Sequence, residues 1–245
     1  MYKLALAAAA AATFALPAQA LTTGDLAFTG FNADKDYWSV AALADIAANT
    51  QVFFSDNEWN GSAFNDTNEH TLVWNTGSGV IAAGTVVLFT EIDAAPDVIT
   101  ASIGSLVLAA GGGTGLGLSA TDDTLYAFLG SAATAPTTFL AAVSNDASAT
   151  NITNAGLVVG VNAVQLTSSA DFGDYTGARA GATTFAAYGA LVNNSANWNI
   201  LVGGDQSALV PSTVAFTVTP VPEASTTAML LAGLAAMGFV ARRRA

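Results

Sequence analysis

The chain has 245 residues, with 18 acidic and 6 basic side chains, a formal net charge of −12, one histidine and no cysteine. Those counts exclude a disulfide framework, a thiol nucleophile, an iron–sulfur site and cysteine-ligated zinc, and one histidine cannot supply the imidazoles of most catalytic zinc centres. Between residues 21 and 220 two bases, Lys35 and Arg179, stand against 17 acids. A balance of −15 repels phosphate backbones, so no nucleic-acid partner is expected.

The first element is a helical, apolar leader. Lys3 precedes the Ala/Leu run from Leu4 to Leu16, Pro17 breaks it, and Ala18-Gln19-Ala20 supplies a small-x-small cleavage site. As a helix the run spans about 20 Å, short of the roughly 30 Å of bilayer hydrocarbon. Residues 1–20 are therefore expected to be a cleaved export signal rather than an anchor.

Residues 21–219 read as one mainly β body, an antiparallel β-sandwich. Leu26 and Phe28 alternate with Ala27 and Thr29, and Leu72 and Trp74 flank Val73. Val86 to Phe89 and Leu125 to Leu129 are apolar throughout, which suits strands covered on both faces. Val214, Phe216 and Val218 alternate with threonine and alanine, predicting a half-buried strand over 213–219. Turn signals stand between the runs at Gly77-Ser78-Gly79, Asn145-Asp146 and Gly203-Gly204-Asp205. One short helix is expected from Thr183 to Val192, where Phe185, Tyr188 and Val192 recur at helical spacing before Asn193-Asn194. Thr217 to Pro222 reads as a linker.

Several stretches of the body resemble the lamin-tail-like, Ig-like sandwiches of exported bacterial proteins. They are Gly24 to Asn32, Val52 to Trp59, Ala83 to Val87, Tyr175 to Arg179 and Asn197-Trp198. The resemblance implies a fold and no activity.

Candidate site residues gather in the first third. Asp34 and Asp36, then Asp56 and Glu58, are hard oxygen ligands at alternate loop positions, the arrangement calcium uses. Tyr37 and Leu43 stand where an EF-hand needs glycine and glutamate, so any calcium site is of another kind. Solvated loop acids that keep an apolar chain soluble are the alternative. Paired carboxylates could also serve a glycoside hydrolase, although spacing along the chain does not give their separation. His70 beside Glu69 has no Gly-x-Ser-x-Gly elbow to complete a triad, and Gly111 to Gly117 lacks both the P-loop lysine and the last glycine of a dinucleotide fingerprint. That glycine stretch reads as a flexible loop or hairpin tip. Trp38 and Trp59 are candidates for stacking on the sugars of an exopolysaccharide. No catalytic or cofactor signature emerges, and a non-enzymatic role is expected.

The last element is the most specific. Val221-Pro222-Glu223 is followed by the apolar run Ala228 to Ala241 and by Arg242-Arg243-Arg244. A hydrophobic helix over 228–241 spans about 21 Å, and the triple arginine keeps its end on the cytoplasmic side, leaving the acidic body outside. The order resembles the PEP-CTERM sorting signal of exported bacterial proteins, with Ala224 in place of its second proline. That resemblance implies an exosortase-type membrane peptidase as partner, transient membrane anchoring through residues 220–245, and a cell-surface or extracellular destination in a matrix-forming bacterium. The expected role is structural or adhesive; carbohydrate binding is the alternative.

Overall fold

The computed structural model describes residues 20–65, 68–90, 98–111, 113 and 117–219, together with Leu231, Gly233, Leu234, Met237, Phe239 and Arg242, which are helical. The stretch read as an export leader lies outside them up to residue 19, as do most of residues 220–245. Among the described residues no helix is long and apolar enough to cross a membrane.

Two six-stranded sheets face each other. Sheet 1 holds β1 (Leu26–Asn32), β2 (Tyr37–Ala42), β5 (Val86–Thr90), β6 (Thr100–Ala101), β11 (Ala170–Tyr175) and β12 (Trp198–Val202), in the order β12-β11-β1-β2-β5-β6. Sheet 2 holds β3 (Gln51–Ser55), β4 (Thr71–Asn75), β7 (Ser105–Leu108), β8 (Thr124–Ala132), β9 (Ala135–Ser144) and β10 (Ala163–Gln165), in the order β10-β9-β8-β3-β4-β7. Every ladder is antiparallel except β9–β10.

Period-two alternation sorts the side chains of sheet 2. Val52, Phe54, Leu72, Trp74, Leu125 and Ala127 point into the space between the sheets, while Phe53, Val73, Tyr126 and Phe128 point away from it. The inner residues meet Phe28, Phe31, Trp38, Val40 and Phe89 of sheet 1. Trp38 stacks on Phe89 with ring centroids 5.5 Å apart, and Phe54 touches both rings as well as Phe28 and Trp74. Each such ring removes on the order of 150–250 Å² from water, which is why a chain without disulfides can hold this shape.

The outward residues of sheet 2 form a second apolar cluster. Phe53 stacks on Phe128 at 5.4 Å, and Trp59 and Phe64 close over Tyr126, Phe128 and Phe139. A short helix α1 (Thr150–Asn154) adds the buried Ile152 to this roof. Sequence periodicity gave no sign of α1, because five residues with one apolar anchor have no repeat to detect.

Three local expectations change. Residues 213–219 form no strand; Val218 makes one isolated bridge to Ala182, and Val214 is exposed. The helix expected over 183–192 is a 3₁₀ turn at Ala186–Tyr188 running into α2 (Gly189–Val192), with Tyr188 and Val192 buried as the spacing required. Leu88 of β5 is only half-buried, whereas Thr124 to Phe128 of β8 are buried on both faces.

Candidate functional site

Strand register brings both acidic loops to one end of the sandwich. Asp34 and Asp36 lie in the turn between β1 and β2, and Asp56 and Glu58 follow β3. The start of β8, the end of β9 and the start of β11 meet at the same end, tied by Asn145, whose Nδ2 donates to Ser119 O at 2.9 Å and to Ala170 O at 3.0 Å. Asp36 is buried at φ 53°, and its carboxylate lies where a Cβ on Gly117 would sit, so Gly117 packs here against the β1–β2 turn. Gly113 likewise leaves no room for a side chain beside the backbone of Asn68 and Glu69. Of the stretch 111–117, residues 112, 114, 115 and 116 fall outside the described residues.

Two carboxylates of this end, those of Asp34 and Asp123, are engaged by backbone N–H groups. Asp34 Oδ2 accepts the Gln206 N–H at 2.6 Å. Asp123 accepts the Ser119 N–H through Oδ2 and its neighbour Thr124's N–H through Oδ1, at 2.8 and 2.7 Å. Burial pushes the Asp123 carboxyl up to about 6, against the pull of those two N–H groups and with a further push from the Glu58 charge. Tyr126 nearby is raised too, chiefly by burial. Asn57 clamps the backbone of residue 69 both ways, donating to Glu69 O and accepting the Glu69 N–H. Among the described residues no three of His, Asp or Glu gather into a group able to hold a metal ion.

The tryptophans divide. Trp38 is fully buried between Phe54 and Phe89, so it has no face to offer a sugar; the expectation that it stacks on ligand is corrected by its place in the core. Trp59 is half-buried, edge-on to Phe64 at 5.2 Å and to Phe139 at 5.3 Å. His70 is buried at the start of β4 and Glu69 half-buried beside it.

The strongest construction on the surface is a strap, residues 205–219, that runs over sheet 1. Asn32 Nδ2 donates to Gln206 O at 3.1 Å and Leu209 O at 2.8 Å, and Asp174 Oδ1 accepts the Ser212 N–H at 2.9 Å. Pro211 occupies the space that a Cβ on Gly30 would fill. Phe216 then turns inward, stacked on Tyr175 at 5.8 Å and against the edge of Tyr188 at 4.9 Å. Its N–H goes to Gly84 O at 2.8 Å, the Thr217 N–H to Arg179 O at 2.8 Å, and the Thr219 N–H to Ala182 O at 2.9 Å. These bonds go to two different loops, Gly84 before β5 and Arg179 with Ala182 after β11, and for that reason an alternating sequence forms no ladder here. Tyr188 ties the segment once more, donating its hydroxyl to Thr217 O at 2.6 Å while accepting the Ala182 N–H. Arg179 lies across both rings and donates to Val214 O at 2.7 Å and Tyr175 O at 3.1 Å. Burial lowers its pKa and the charge of Asp174 restores part of it. The segment read as a linker is thus fixed to the body as far as Thr219.

Beyond Thr219 the chain matches the PEP-CTERM protein-sorting motif, over residues 220–244. Val221, Pro222, Glu223, Arg242, Arg243 and Arg244 all fall within the match, and of these only Arg242 is among the described residues. The motif marks an exported protein with a C-terminal membrane-anchoring signal, sorted by an exosortase-type peptidase. No curated protein and no solved structure matches the chain.

Sequence reasoning missed the strap and its latch of Arg179, Tyr188 and Phe216. The signal was present: Arg179 is the lone arginine in the body and one of only two bases among 17 acids.

Proposed function

We propose that the chain is a non-catalytic surface or matrix protein whose β-sandwich, of the lamin-tail-like kind, is the cargo of its own sorting tail. The export leader takes it across the inner membrane, the C-terminal helix holds it there, and cleavage near Val221-Pro222-Glu223 sends the body to the cell surface or the surrounding polysaccharide matrix. The role of the delivered body is structural or adhesive. The observation that carries this reading is the latch: Phe216, Thr217 and Thr219 are bonded to the folded body, and the sorting motif begins at the next residue. Cleavage after Thr219 leaves every contact of the strap in place. Support for a non-catalytic body comes from the carboxylates of Asp34, Asp123 and Asp174, which are engaged with backbone N–H groups of neighbouring loops.

The test is fractionation of the producing cells with mass spectrometry of the mature C-terminus, beside a chain lacking residues 220–245. The mature protein is expected to end between Pro220 and the apolar run, and the truncated chain to be lost from the surface fraction. Intact Arg244 on washed cell surfaces, or normal delivery of the truncated chain, overturns the proposal.

A further inference from the structure

β7 is the last strand of sheet 2 among the described residues. It pairs with β4 in the register Leu72↔Leu108, Val73↔Val107, Trp74↔Leu106 and Asn75↔Ser105, and the Ala109 N–H donates to Thr71 O at 2.8 Å. Antiparallel ladders alternate, so Ser105, Val107 and Ala109 turn their backbone groups toward β4 while Leu106 and Leu108 turn theirs outward. The side chains are equally unguarded: Val107 is 53% and Leu108 43% exposed. Soluble proteins usually blunt such an edge with lysine, proline or an inward charge. Here the sequence from Val98 to Thr121 contains no Asp, Glu, Lys or Arg, in a body that carries 17 acids.

We propose that β7 is where two copies of this chain join, edge to edge and antiparallel, about a two-fold axis at Val107. Charge selects the occupant. Two bodies of −15 repel each other through any surface bearing carboxylates, and like charges set face to face across an interface cost affinity. Along β7 itself, from Ser105 to Leu108, two copies meet without opposing acids. A basic partner would find no acid on it, and a polysaccharide would find aliphatic carbon where it needs polar side chains. The edge is also self-complementary, as a two-fold interface requires. With Val107 on the axis, Leu106 of each copy lies opposite Leu108 of the other, and those are the residues whose N–H and C=O groups point outward. Leu108, exposed because the sheet stops there, packs across the seam on the second copy's Leu106. On the other face Val107 meets its own counterpart and extends the apolar row Val107–Val73–Phe53–Phe128 into the second sheet. The proposal stands independently of the sorting reading.

The absence of cysteine provides a direct test in the full chain, in membranes of the producing cells or in mild detergent. Val107→Cys places two thiols on the axis at a non-hydrogen-bonded pair, where Cα atoms lie about 4.5 Å apart, within disulfide reach. Val202→Cys, at a site 54% exposed on the edge strand β12, is the control. Under mild oxidation the Val107→Cys chain is expected to form a covalent dimer about tenfold or more faster than the control, because pairing raises the effective thiol concentration. Adding Leu108→Lys should abolish the difference, and added salt, by screening the acids, should increase it. Equal rates at the two sites, a Val107→Cys chain that stays monomeric, or its linkage to some other protein each overturn the proposal.

Discussion

The guanidinium of Arg179 lies 4.8 Å above the ring of Phe216 and donates to Val214 O two residues before it, so one side chain grips both the ring and the backbone of the strap. A cation over a ring in a half-buried site contributes about 1–2 kcal/mol, and a charged donor to a carbonyl about the same again. Arg179→Met is therefore expected to lower unfolding stability by about 2–3 kcal/mol, and Phe216→Ala by about 3–5 kcal/mol through the cavity it leaves. Urea denaturation checks both. Limited proteolysis separates them from a general loss of fold, with the first new cleavages expected inside 205–219. Cuts appearing first in sheet 2 would show that the strap is not held by this latch.

Gly30 bears on the strap from the sheet beneath it. Its φ is unexceptional, but a methyl group there overlaps Pro211 and the Ser39 hydroxyl. Gly30→Ala is expected to cost about 1–3 kcal/mol, the usual penalty for overpacking. Truncating Pro211 to glycine in the same chain should restore part of that loss, because the space is vacated. Lack of rescue, measured in a double-mutant cycle, would place the strain within sheet 1 instead.

Much of the architecture was legible in the residues, and the exceptions have a common cause. Strand β4 alternates because its Leu72 and Trp74 face the core between the sheets, so Leu72/Trp74 against Val73 could be read directly. The same alternation at Val214, Phe216 and Val218 misled, since period two records which side chains are covered and not which neighbour takes the backbone bonds. Trp38 and Trp59 are both stacking candidates in the sequence, Trp59 the more exposed for its place in an acidic turn; the pairing of Trp38 with Phe89 across β2 and β5 is what makes Trp38 a core ring. The sorting signal was legible in full because its order along the chain is itself the signal. The latch was not, because Tyr175 at the end of β11, Arg179 in the loop after it, Tyr188 in the 3₁₀ turn and Phe216 in the strap share no periodic pattern along the chain.

Acidification offers a test of the polar end. Asp123 has an ordinary value of 3.8 and a native one of about 6, so the folded state holds its proton more tightly than the unfolded state. Where the native state binds more protons, stability rises as pH falls, here from above 6 to below about 4. The full shift corresponds to at most about 3 kcal/mol. Comparing the wild type with Asp123→Asn across that window isolates the effect, since the substitution keeps the burial and removes the titration. The wild type should gain about 1–3 kcal/mol on the variant between roughly pH 7 and pH 4. Parallel curves would mean that Asp123 titrates alike in both states.

Calcium is expected to leave the body's melting temperature unchanged, within about 1 °C of its value in EDTA. A structural ion bound well below its working concentration adds several kcal/mol and raises the midpoint by many degrees. The predicted ligand Asp34 holds the Gln206 N–H, and no described group of three acids forms. A rise of more than about 4 °C on adding calcium, lost in Asp36→Asn or Asp56→Asn, would establish a site and return those carboxylates to a ligand role.

Trp59 closes the second apolar cluster, and its ring is edge-on to Phe64 and Phe139 with its carbonyl held by Asn154 Nδ2 at 3.2 Å. A sugar-stacking ring has to present a free face to the ligand, whereas this one is half spent on protein contacts. Trp59→Ala is therefore expected to act on stability, costing about 2–4 kcal/mol as the roof over Phe128 and Tyr126 opens. Titration of the intact protein with the producer's own exopolysaccharide should leave tryptophan fluorescence flat. Saturable quenching that disappears in Trp59→Ala, at a pH and temperature where the variant is still folded by circular dichroism, would instead make this ring the contact point for carbohydrate.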